Sequence, residues 1–368
     1  MAKCCKVLHI ALVHGGGVEV YTRMLIAHTY QSCDTVLICA PEYDRQLLPE
    51  HSCTVYPVDV PREISVKADS KAAFAIRDIL KKERPDVVYC HSSMAGAVGR
   101  IAAMGLGCKV IYNPHGWSFD MAISPRKKAV YRFLEKLLAR KTDRIVTISE
   151  YEKSIALNNK ICHENKIEVI LNGIDLEQCR SVKGDKAKLG YQEKDFVVGC
   201  AARLSEQKDP LLFAEVAGCI AKKCPDARFV WVGDGELKEE FMAALKKNNV
   251  LEQTTVTGWV NNPWEYIAMF DVAVLLSKWE GFGLCLAEYL ALGKPVVATN
   301  VGAVSEIIQD GVCGRLADDR TPALIAEEIM SYRQCQNLDA IRQACRSAAE
   351  KFDFKVTADR TMKMLAQL

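Results

Sequence analysis

The sequence lacks several features that would each define a class of protein. No stretch approaches the roughly 18 consecutive apolar residues of a transmembrane helix. The apolar run from Val7 to Val13 is too short for the core of a signal peptide. The formal net charge is only +2, so no global electrostatic field favours nucleic acid as a partner. We therefore expect a globular protein of the cytoplasm that does not bind nucleic acid.

Cysteine is abundant, but the spacing that is typical of metal sites is missing. None of the sixteen cysteines forms a Cys-x-x-Cys pair, and Cys162-His163 stands alone. We interpret the cysteines as small buried hydrophobic residues in a reducing compartment, and we expect neither a bound metal nor a disulfide framework. The dinucleotide fingerprint G-x-G-x-x-G is also absent, which argues against an oxidoreductase.

The chain has a regular alternation of short apolar runs and helical patterns over 368 residues, a length that suits two domains. The runs are rich in Val and Ile and are bounded by Gly, Pro or Asp, which is typical of strands buried in a parallel sheet. The predicted strands are Lys6–Val13, Thr35–Ala40, Val87–Cys90, Val110–Asn113, Arg144–Ile148, Ile167–Leu171, Phe196–Ala201, Arg228–Val232, Thr254–Thr257, Val272–Leu276 and Pro295–Ala298. The predicted helices are Glu19–Tyr30, Ser70–Lys82, Arg126–Lys141, Asp209–Lys223, Glu236–Asn248, Trp264–Met269, Leu284–Ala291 and Ala323–Tyr332.

This alternation in both halves predicts an α/β protein of two Rossmann-like, doubly wound domains that face each other across a cleft. We predict an N-terminal domain over residues 1–175 and a C-terminal domain over residues 190–350. Residues 173–192 have no strong period and are predicted to be the linker. Residues 352–368 are helical and, from their position, are predicted to complete the first domain. Ligands of such folds bind at the carboxyl ends of the strands, so the loops after the strands are the candidate sites.

The first such loop is His14-Gly15-Gly16-Gly17, which lies between a predicted strand and a predicted helix. Glycine allows the backbone to approach a ligand closely, and the free N–H groups at the start of a helix suit a phosphate. A plain tight turn is the alternative interpretation of this loop.

The most informative segment runs from Ser277 to Thr299, where a strand, a glycine loop and a helix follow one another. Glu280 precedes the helix and Glu288 lies about one turn inside it. A carboxylate accepts hydrogen bonds in pairs, which suits the neighbouring hydroxyls of a sugar or a ribose. The alternative is that Glu280 caps the helix and Glu288 lies on a solvated face.

The spacing Glu280-x7-Glu288 around a Gly-Phe-Gly core resembles the signature of the retaining glycosyltransferases of family 4, which have the GT-B fold of two Rossmann-like domains. The resemblance covers nearly the whole chain and is densest from residue 171 to residue 314. Further segments that resemble the family are Asn172-Gly-Ile-Asp175, Ala202-Arg203-Leu204 with Lys208, Val232-Gly-Asp-Gly235, Pro295-Val-Val-Ala-Thr299 and Gly311-Val-Cys-Gly314.

The resemblance implies a role for individual residues of this chain. It implies that Arg203 and Lys208 clamp the donor diphosphate, and that two cations offset the leaving-group charge without a metal. It implies that Glu280 contacts hydroxyls of the transferred sugar and that Glu288 holds the ribose. The backbone groups implied in donor binding are those of Gly16, Gly17, Val260, Gly281, Phe282, Gly283 and Leu284.

Two histidines complete the predicted site. The resemblance implies that His115, in Asn-Pro-His-Gly-Trp, donates or accepts a hydrogen bond with the donor sugar near the reacting carbon. His91 follows another predicted strand, and we weigh a contact with the acceptor evenly against a packing role. The predicted catalytic residues are therefore His115, Arg203, Lys208 and Glu280.

The implied reaction is the transfer of a hexose or N-acetylhexosamine, with retained anomeric configuration, from a nucleoside-diphosphate sugar to a glycan or a lipid-linked acceptor. UDP is the favoured nucleotide because it is the commonest in the family, and the expected setting is the biosynthesis of a surface polysaccharide or glycan. No cofactor is expected, since the nucleotide sugar is a substrate. The alternatives are an epimerase or a phosphorylase of the same fold, or a glycan-binding module without activity.

A basic amphipathic helix is predicted within residues 124–144, directly after the His115 loop. This segment contains eight Lys or Arg residues, and five apolar residues recur at helical spacing, namely Val130, Phe133, Leu134, Leu137 and Leu138. The segment is typical of a surface helix with its apolar stripe in the core. The alternative, which we favour slightly, is peripheral contact with an anionic membrane surface.

Overall fold

The computed structural model describes residues 4–60, 66–121 and 123–368, with only the backbone of residues 66–69. The chain forms two compact units. The first unit comprises Met1–Gly173 together with Phe354–Leu368, and the second comprises Ile174–Asp353.

The first unit contains a parallel sheet of seven strands within the described residues, in the order β3-β2-β1-β4-β5-β6-β7. Its strands are β1 Lys6–Ala11, β2 Asp34–Cys39, β3 Thr54–Pro57, β4 Val87–His91, β5 Lys109–Asn113, β6 Arg144–Thr147 and β7 Ile167–Val169. Its helices are α1 Gly16–Thr29, α2 Val66–Glu83, α3 Ser93–Ala103, α4 Pro125–Ala139, α5 Glu150–Asn158 and α14 Phe354–Leu365. Strand β1 pairs in parallel with both β2 and β4, so the order of the strands reverses beside it.

The second unit repeats this plan with six parallel strands in the order β10-β9-β8-β11-β12-β13. Its strands are β8 Phe196–Ala201, β9 Ala227–Val232, β10 Thr254–Val256, β11 Val272–Leu275, β12 Val296–Thr299 and β13 Gly314–Ala317. Its helices are α6 Leu176–Ser181, α7 Pro210–Lys223, α8 Lys238–Lys247, α9 Trp264–Ile267, α10 Leu284–Ala291, α11 Val304–Ile307, α12 Pro322–Ser331 and α13 Leu338–Ala349. The reversal of strand order lies here between β8 and β11.

The predicted α/β class with two doubly wound sheets is confirmed. Both sheets are buried because helices cover their two faces, which is why the strands read as continuous apolar runs. In β1, for example, every residue from Val7 to Ala11 is buried.

Several elements that the sequence pattern did not predict are short or contain glycine, although the unpredicted helices α5 and α13 have nine and twelve residues and no glycine. Strands β3 and β13 are four residues long, lie at sheet edges and contain Pro57 and Gly314 respectively. Helix α3 contains Gly96 and Gly99, which read as helix breakers. A Cβ at Gly99 would lie 2.6 Å from the Cys90 Sγ, and a Cβ at Gly96 would overlap the Tyr112 ring. These glycines therefore let α3 pack closely on the sheet.

The predicted linker over residues 173–192 is not a simple connection. Helix α6 begins there, and the Asp175 side chain caps it by accepting from the Gln178 N–H at 2.9 Å. The second unit consequently begins at Ile174 rather than near residue 190. Gly173 is the last residue of the first unit, and a Cβ there would lie 2.6 Å from the Phe354 Cα, where the chain returns.

Helix α14 packs in the first unit. Phe354 is fully buried, and its ring centroid lies 5.5 Å from that of Tyr21 in α1. The Thr357 hydroxyl donates to the Leu171 carbonyl at 2.8 Å. The C-terminal segment therefore supplies part of the core of the first unit.

Helix α4 keeps most of its apolar stripe exposed. Val130, Phe133, Leu134 and Leu137 are exposed by 54%, 65%, 42% and 47%, and only Leu138 of the predicted stripe is buried. The helix is held to the unit instead through Glu135, whose carboxylate pairs with the buried Arg100 at 2.8 Å. The interpretation that this stripe packs in the core is therefore wrong for its first four residues.

Only half of the cysteines are buried. All sixteen lie in the described part of the chain, none forms a disulfide, and eight are buried. Cys4 is exposed, however, so the interpretation of every cysteine as a buried hydrophobic residue is wrong at that position. In the part of the chain that the structure describes, no helix has the length and apolar character needed to cross a membrane.

Candidate active site

The candidate site of the second unit lies where the order of its strands reverses. Residues 202–209 follow β8, and residues 276–283 follow the neighbouring strand β11. Because the two strands are parallel, both loops leave the same edge of the sheet. This brings Lys208 and Glu280 together, although 71 residues separate them in the sequence.

Glu280 is a buried carboxylate with two neighbours on one oxygen. Only 4% of its side chain is exposed. The Ser277 hydroxyl donates to Glu280 Oε1 at 2.6 Å, and the Lys208 ammonium pairs with the same oxygen. Burial lowers the pKa of Lys208, but Glu280, through its charge and its hydrogen bond, and the Cys285 and Cys200 thiols together raise it above its ordinary value. Lys208 is therefore charged at neutral pH, and its ammonium lies against the Glu280 carboxylate in a partly desolvated place.

Two glycines shape the loop that carries Glu280. Gly283 precedes α10 with φ of +82°, a conformation that favours glycine. Gly302 follows β12 and has φ of +59°, and a Cβ there would overlap the Glu280 carbonyl oxygen. The sequence reasoning missed Gly302, which needs to be glycine because another loop passes directly over it.

Arg320 and Asp209 form a second connection that sequence reasoning missed. The Arg320 guanidinium donates to the Ser277 carbonyl at 2.8 Å and to the Leu276 carbonyl at 3.1 Å. It also pairs with Asp209, which begins α7 with φ of +46°. Arg320 thus links the loop that contains Glu280 to the loop that contains Lys208. The sequence gives no sign of this link, because a single Arg after a strand does not indicate which loops it contacts.

Arg203 lies at the surface of the same edge. Its guanidinium donates to Glu236 Oε2 at 2.9 and 3.2 Å, and 63% of its side chain is exposed. An exposed ion pair contributes on the order of 1 kcal/mol or less, so an incoming anion of higher charge can replace Glu236. The backbone of this loop is fixed more firmly, because the Leu204 N–H donates to the Asp234 carbonyl at 3.0 Å.

Glu288 lies one turn into α10 and is half-buried. The Trp264 indole N–H donates to Glu288 Oε1 at 3.0 Å. Burial raises the pKa of Glu288 to about 7, although the bond from Trp264 lowers it. At neutral pH the Glu288 carboxyl group is therefore only partly ionised. The sequence reasoning missed Trp264.

For the remaining residues of the second unit that were predicted to bind the donor, the predicted contact is through the backbone. Phe282 is buried and its ring lies at 5.7 Å from Phe352, so its side chain belongs to the core. Gly281 and Leu284 are half-buried at the start of α10, and Val260 is half-buried in the loop after β10. The N–H groups in the first turn of a helix have no acceptor within the helix, so the first turn of α10, from Leu284 onward, suits a polar ligand.

In the first unit, the glycine loop follows β1 and opens α1. Gly15 and Gly16 have φ of +72° and +74°, and a Cβ at either would have no heavy atom within 4 Å. The buried Glu19 carboxylate accepts from the Gly15 N–H, and it also accepts from the Asp44 N–H at 3.0 Å. Gly16 and Gly17 are the first helical residues, so their N–H groups suit an anion. The sequence reasoning missed the role of Glu19 in fixing this loop.

Three histidines form a chain at the carboxyl ends of the central strands of the first unit. His9 Nδ1 lies 3.1 Å from His91 Nε2, and His91 Nδ1 lies 3.3 Å from His115 Nε2. Burial lowers the pKa of His9 to about 4 and that of His115 to about 3. Burial, and then the two neighbouring rings, hold the pKa of His91 well below its ordinary value. All three imidazoles are consequently neutral at pH 7. The sequence reasoning missed His9.

The backbone is strained beside this chain. Ser92 and His115 have φ of +83° and +50°, in a region that residues with a Cβ rarely adopt. The Asn113 side chain holds the His115 loop by accepting from its N–H at 2.9 Å, and the Ser92 N–H donates to the Asn113 carbonyl at 2.9 Å. Strain of this kind is common where a side chain must be aimed at a ligand.

Models of two known protein families match the two units of the chain. The model described as "Glycosyl transferase 4-like domain" matches residues 16–173, and the model described as "Glycosyl transferases group 1" matches residues 182–352.

Two relatives show similarity over much of the chain. The Escherichia coli protein "UDP-Gal:alpha-D-GlcNAc-diphosphoundecaprenol alpha-1,3-galactosyltransferase" is 35% identical over 266 residues, which cover 70% of this chain and 68% of that protein. The "Uncharacterized 41.2 kDa protein in cps region" of Klebsiella pneumoniae is 30% identical over 360 residues, which cover 94% of this chain and 95% of that protein.

Solved structures confirm the fold. Anabaena HepE in complex with UDP and glucose has a TM-score of 0.82 at 20% identity and covers 99% of this chain and 100% of its own. Sucrose-phosphate synthase from Thermosynechococcus elongatus has a TM-score of 0.85 at 16% identity, with 98% of each chain covered. The chain therefore belongs to family 4 of the glycosyltransferases, has the GT-B fold, and is a hexosyltransferase.

Proposed function

We propose that this enzyme transfers a hexose or N-acetylhexosamine from a UDP-sugar to a lipid-linked acceptor, with retention at the anomeric carbon, during the synthesis of a surface polysaccharide. The names of the relatives support the donor and the acceptor. One is a transferase from UDP-Gal to a GlcNAc-diphosphoundecaprenol, and another, from Campylobacter jejuni, is named for a diphospho-undecaprenol acceptor. The reaction as proposed uses neither a cofactor nor a catalytic metal.

The observation that carries this proposal is the pairing of Lys208 with Glu280 where the strand order of the second unit reverses. A cation and a carboxylate fixed side by side suit a ligand that presents phosphate next to sugar hydroxyls. Lys208 and Arg203 bind the diphosphate and stabilise the charge that develops on it as it leaves. Glu280 accepts from hydroxyls of the transferred sugar through Oε2, because Ser277 and Lys208 both contact Oε1.

The chemical step uses the leaving group as the base. The bond from the anomeric carbon to the diphosphate oxygen breaks while the acceptor oxygen bonds to that carbon on the same face. The acceptor proton passes to the departing diphosphate oxygen. Catalysis then depends on positioning and on charge stabilisation, with Arg203 and Lys208 as the cations.

The neutral histidine chain supports a hydrogen-bonding role for His115 rather than an acidic one. A neutral imidazole has one donor and one acceptor nitrogen, and His91 engages Nε2 of His115. Nδ1 of His115 is then the nitrogen that is proposed to meet a sugar hydroxyl. His91 is buried between two histidines, which favours a positioning role over contact with the acceptor.

The exposed face of α4 supports contact with an anionic membrane. Phe133 and Leu137 lie on the same face as Val130 and Leu134, and lysines such as Lys127 and Lys136 are exposed on the same helix. Exposed apolar side chains with flanking cations are typical of helices that lie in a membrane interface. Since Glu135 and Leu138 attach the opposite side, this face is free to insert.

The proposed function is tested by UDP release from UDP-Gal, UDP-Glc, UDP-GlcNAc and UDP-GalNAc, with and without a GlcNAc-diphosphoprenol acceptor. We expect release from at least one donor that depends on the acceptor, and a product whose new linkage keeps the α configuration by NMR. Release that is independent of the acceptor would contradict transfer to a lipid-linked sugar, and an inverted linkage would contradict retention.

Arg203→Ala should lower kcat/KM by about 100-fold or more, because one of the two cations that stabilise the leaving diphosphate is lost. Glu236→Ala is the matched control, since it removes the same ion pair and leaves the guanidinium in place. That control should retain full activity. Equal losses in the two variants would assign Arg203 to the surface pair alone.

Glu288 predicts a pH dependence of donor binding. Its pKa of about 7 means that the ionised form, which accepts from the ribose hydroxyls, increases as the pH rises. The Kd for a UDP-sugar should therefore fall by about tenfold from about pH 6 to about pH 8, measured by calorimetry without acceptor. A UDP-sugar is used because free UDP has a phosphate that titrates in the same range.

Variants assign that dependence to one residue. Trp264→Phe removes the bond that lowers the pKa of Glu288 and should move the midpoint to higher pH, whereas Trp259→Phe, at an exposed position, should not. Glu288→Gln should flatten the profile. An unchanged profile in Glu288→Gln would show that another group titrates.

Membrane contact is measured by co-sedimentation with vesicles of phosphatidylglycerol and phosphatidylcholine. Replacing Phe133 and Leu137 by Ser should reduce the bound fraction by about tenfold or more, because two exposed apolar side chains no longer enter the interface. Replacing Lys127 and Lys136 by Gln should weaken binding and reduce its salt dependence. Phe74→Ser, exposed by 70% on α2, is the control. If all variants bind the vesicles equally, α4 is an ordinary surface helix that does not contact the membrane.

A further inference from the structure

Three cysteine thiols meet at the amino ends of the first strands of the first unit. The Sγ atoms of Cys4 and Cys5 are 3.6 Å apart, those of Cys4 and Cys33 are 3.6 Å apart, and those of Cys5 and Cys33 are 3.8 Å apart. A fourth sulfur adjoins the group, because the Met362 Sδ in α14 lies 3.7 Å from the Cys33 Sγ. We call these four residues the sulfur cluster.

The backbone holds the thiols in place. The Cys4 N–H donates to the Ser32 carbonyl at 2.8 Å, and the Asp34 N–H donates to the Cys5 carbonyl at 2.9 Å. These bonds extend the pairing of β1 with β2 to the residues just before β1. The chain bends at Cys4, and the thiols of the adjacent residues Cys4 and Cys5 both reach the Cys33 thiol. The arrangement is therefore set by the sheet rather than by a flexible tail.

The spacing of the sulfur atoms fits a tetrahedral metal site. With zinc–sulfur bonds of about 2.3 Å, the sulfur atoms of a tetrahedral site lie about 3.8 Å apart. The three distances between the thiols and the distance from the Cys33 Sγ to the Met362 Sδ lie between 3.6 and 3.8 Å. A disulfide needs a sulfur–sulfur distance of about 2.05 Å, so the cluster is not an arrangement of bonded cysteines.

Cysteine binds a metal as the thiolate, so each thiol that coordinates a cation releases its proton.

We propose that Cys4, Cys5 and Cys33 bind one thiophilic d10 cation, zinc(II) or copper(I), with the Met362 thioether beside it as the fourth sulfur. Thiolate and thioether ligands select these metals over magnesium or calcium. The site lies at the amino ends of β1 and β2, whereas His91 and His115 lie at the carboxyl ends of strands in the same sheet. The role of the site is structural, because the site joins β1 and β2 to helix α14 through Met362.

The first test uses cobalt(II) as a spectroscopic substitute for zinc. Full-length protein without a histidine tag is reduced, stripped with a chelator and titrated with cobalt(II) under nitrogen. We expect thiolate-to-cobalt charge-transfer absorption that saturates at one equivalent and disappears when zinc(II) is added. A parallel titration with copper(I) against a chromogenic competitor covers the second cation. No stoichiometric binding of either metal would overturn the proposal.

Variants locate the site. Cys4→Ser is the main variant, since Cys4 is exposed and its replacement leaves the core unchanged. It should weaken metal binding by about 100-fold or more. Loss of a group that merely supports a metal ligand already weakens binding by about 10- to 100-fold, and Cys4 is proposed to be a ligand itself. Cys108→Ser, at a half-buried cysteine of the same unit, is the matched control and should bind normally. Binding that survives in Cys4→Ser would place the metal elsewhere.

The structural role has its own measurement. Metal that binds only the folded state should raise the melting temperature of the wild type and of Cys108→Ser, but not that of Cys4→Ser. Hydrogen exchange should slow on metal binding in β1, β2 and α14. Slower exchange confined to the second unit, or a melting temperature that rises equally in Cys4→Ser, would contradict a role in joining these elements.

Discussion

The site of the second unit depends on one buried carboxylate. Glu280 has almost no contact with solvent, and an unpaired carboxylate in that position would cost several kcal/mol. Lys208 and Ser277 compensate it, and both lie at the same edge of the sheet because β8 and β11 are parallel neighbours. The ion pair therefore requires the strand order to reverse at this point. In turn, it fixes a positive and a negative group side by side for a ligand that carries both phosphate and hydroxyls.

Further contacts keep the two loops in register. Arg320 donates to the carbonyls of Leu276 and Ser277 and pairs with Asp209, so it holds both loops at once. Gly302 allows a neighbouring loop to pass over the Glu280 carbonyl. None of these groups is proposed to touch the donor. They position the residues that are proposed to do so, which is why a site can be sensitive to changes outside its ligand contacts.

The first unit differs from the second in that the histidines at its centre are neutral rather than paired ions. His9, His91 and His115 share hydrogen bonds, and burial keeps all three uncharged. A neutral chain can present a directed nitrogen without placing a charge in the core. Helix α4 of the same unit combines exposed cations with exposed apolar side chains, and its Glu135 pairs with the buried Arg100 of α3.

The sequence by itself determined the family, the α/β class and most of the strands. Continuous Val- and Ile-rich runs report burial on both faces of a parallel sheet, and that signal is local. The sequence also identified Arg203, Lys208, Glu280 and Glu288 as candidates, since the spacing of Arg203 from Lys208 and of Glu280 from Glu288 resembles a family signature. Their roles in binding the donor remain predictions.

Only the tertiary structure decided which groups are partners. Lys208 meets Glu280, Trp264 meets Glu288, and His9 completes a chain with His91, although each pair is distant in sequence. The glycines of α3 are typical of helix breakers in the sequence, and only the structure shows that Gly96 accommodates the Tyr112 ring and Gly99 the Cys90 side chain. The sulfur cluster follows the same rule, because Cys4, Cys5 and Cys33 have no metal-site spacing and converge only when β1 pairs with β2. A local sequence pattern indicates which residues are buried. The contacts between residues that are distant in the sequence depend instead on which strands are neighbours in the sheet.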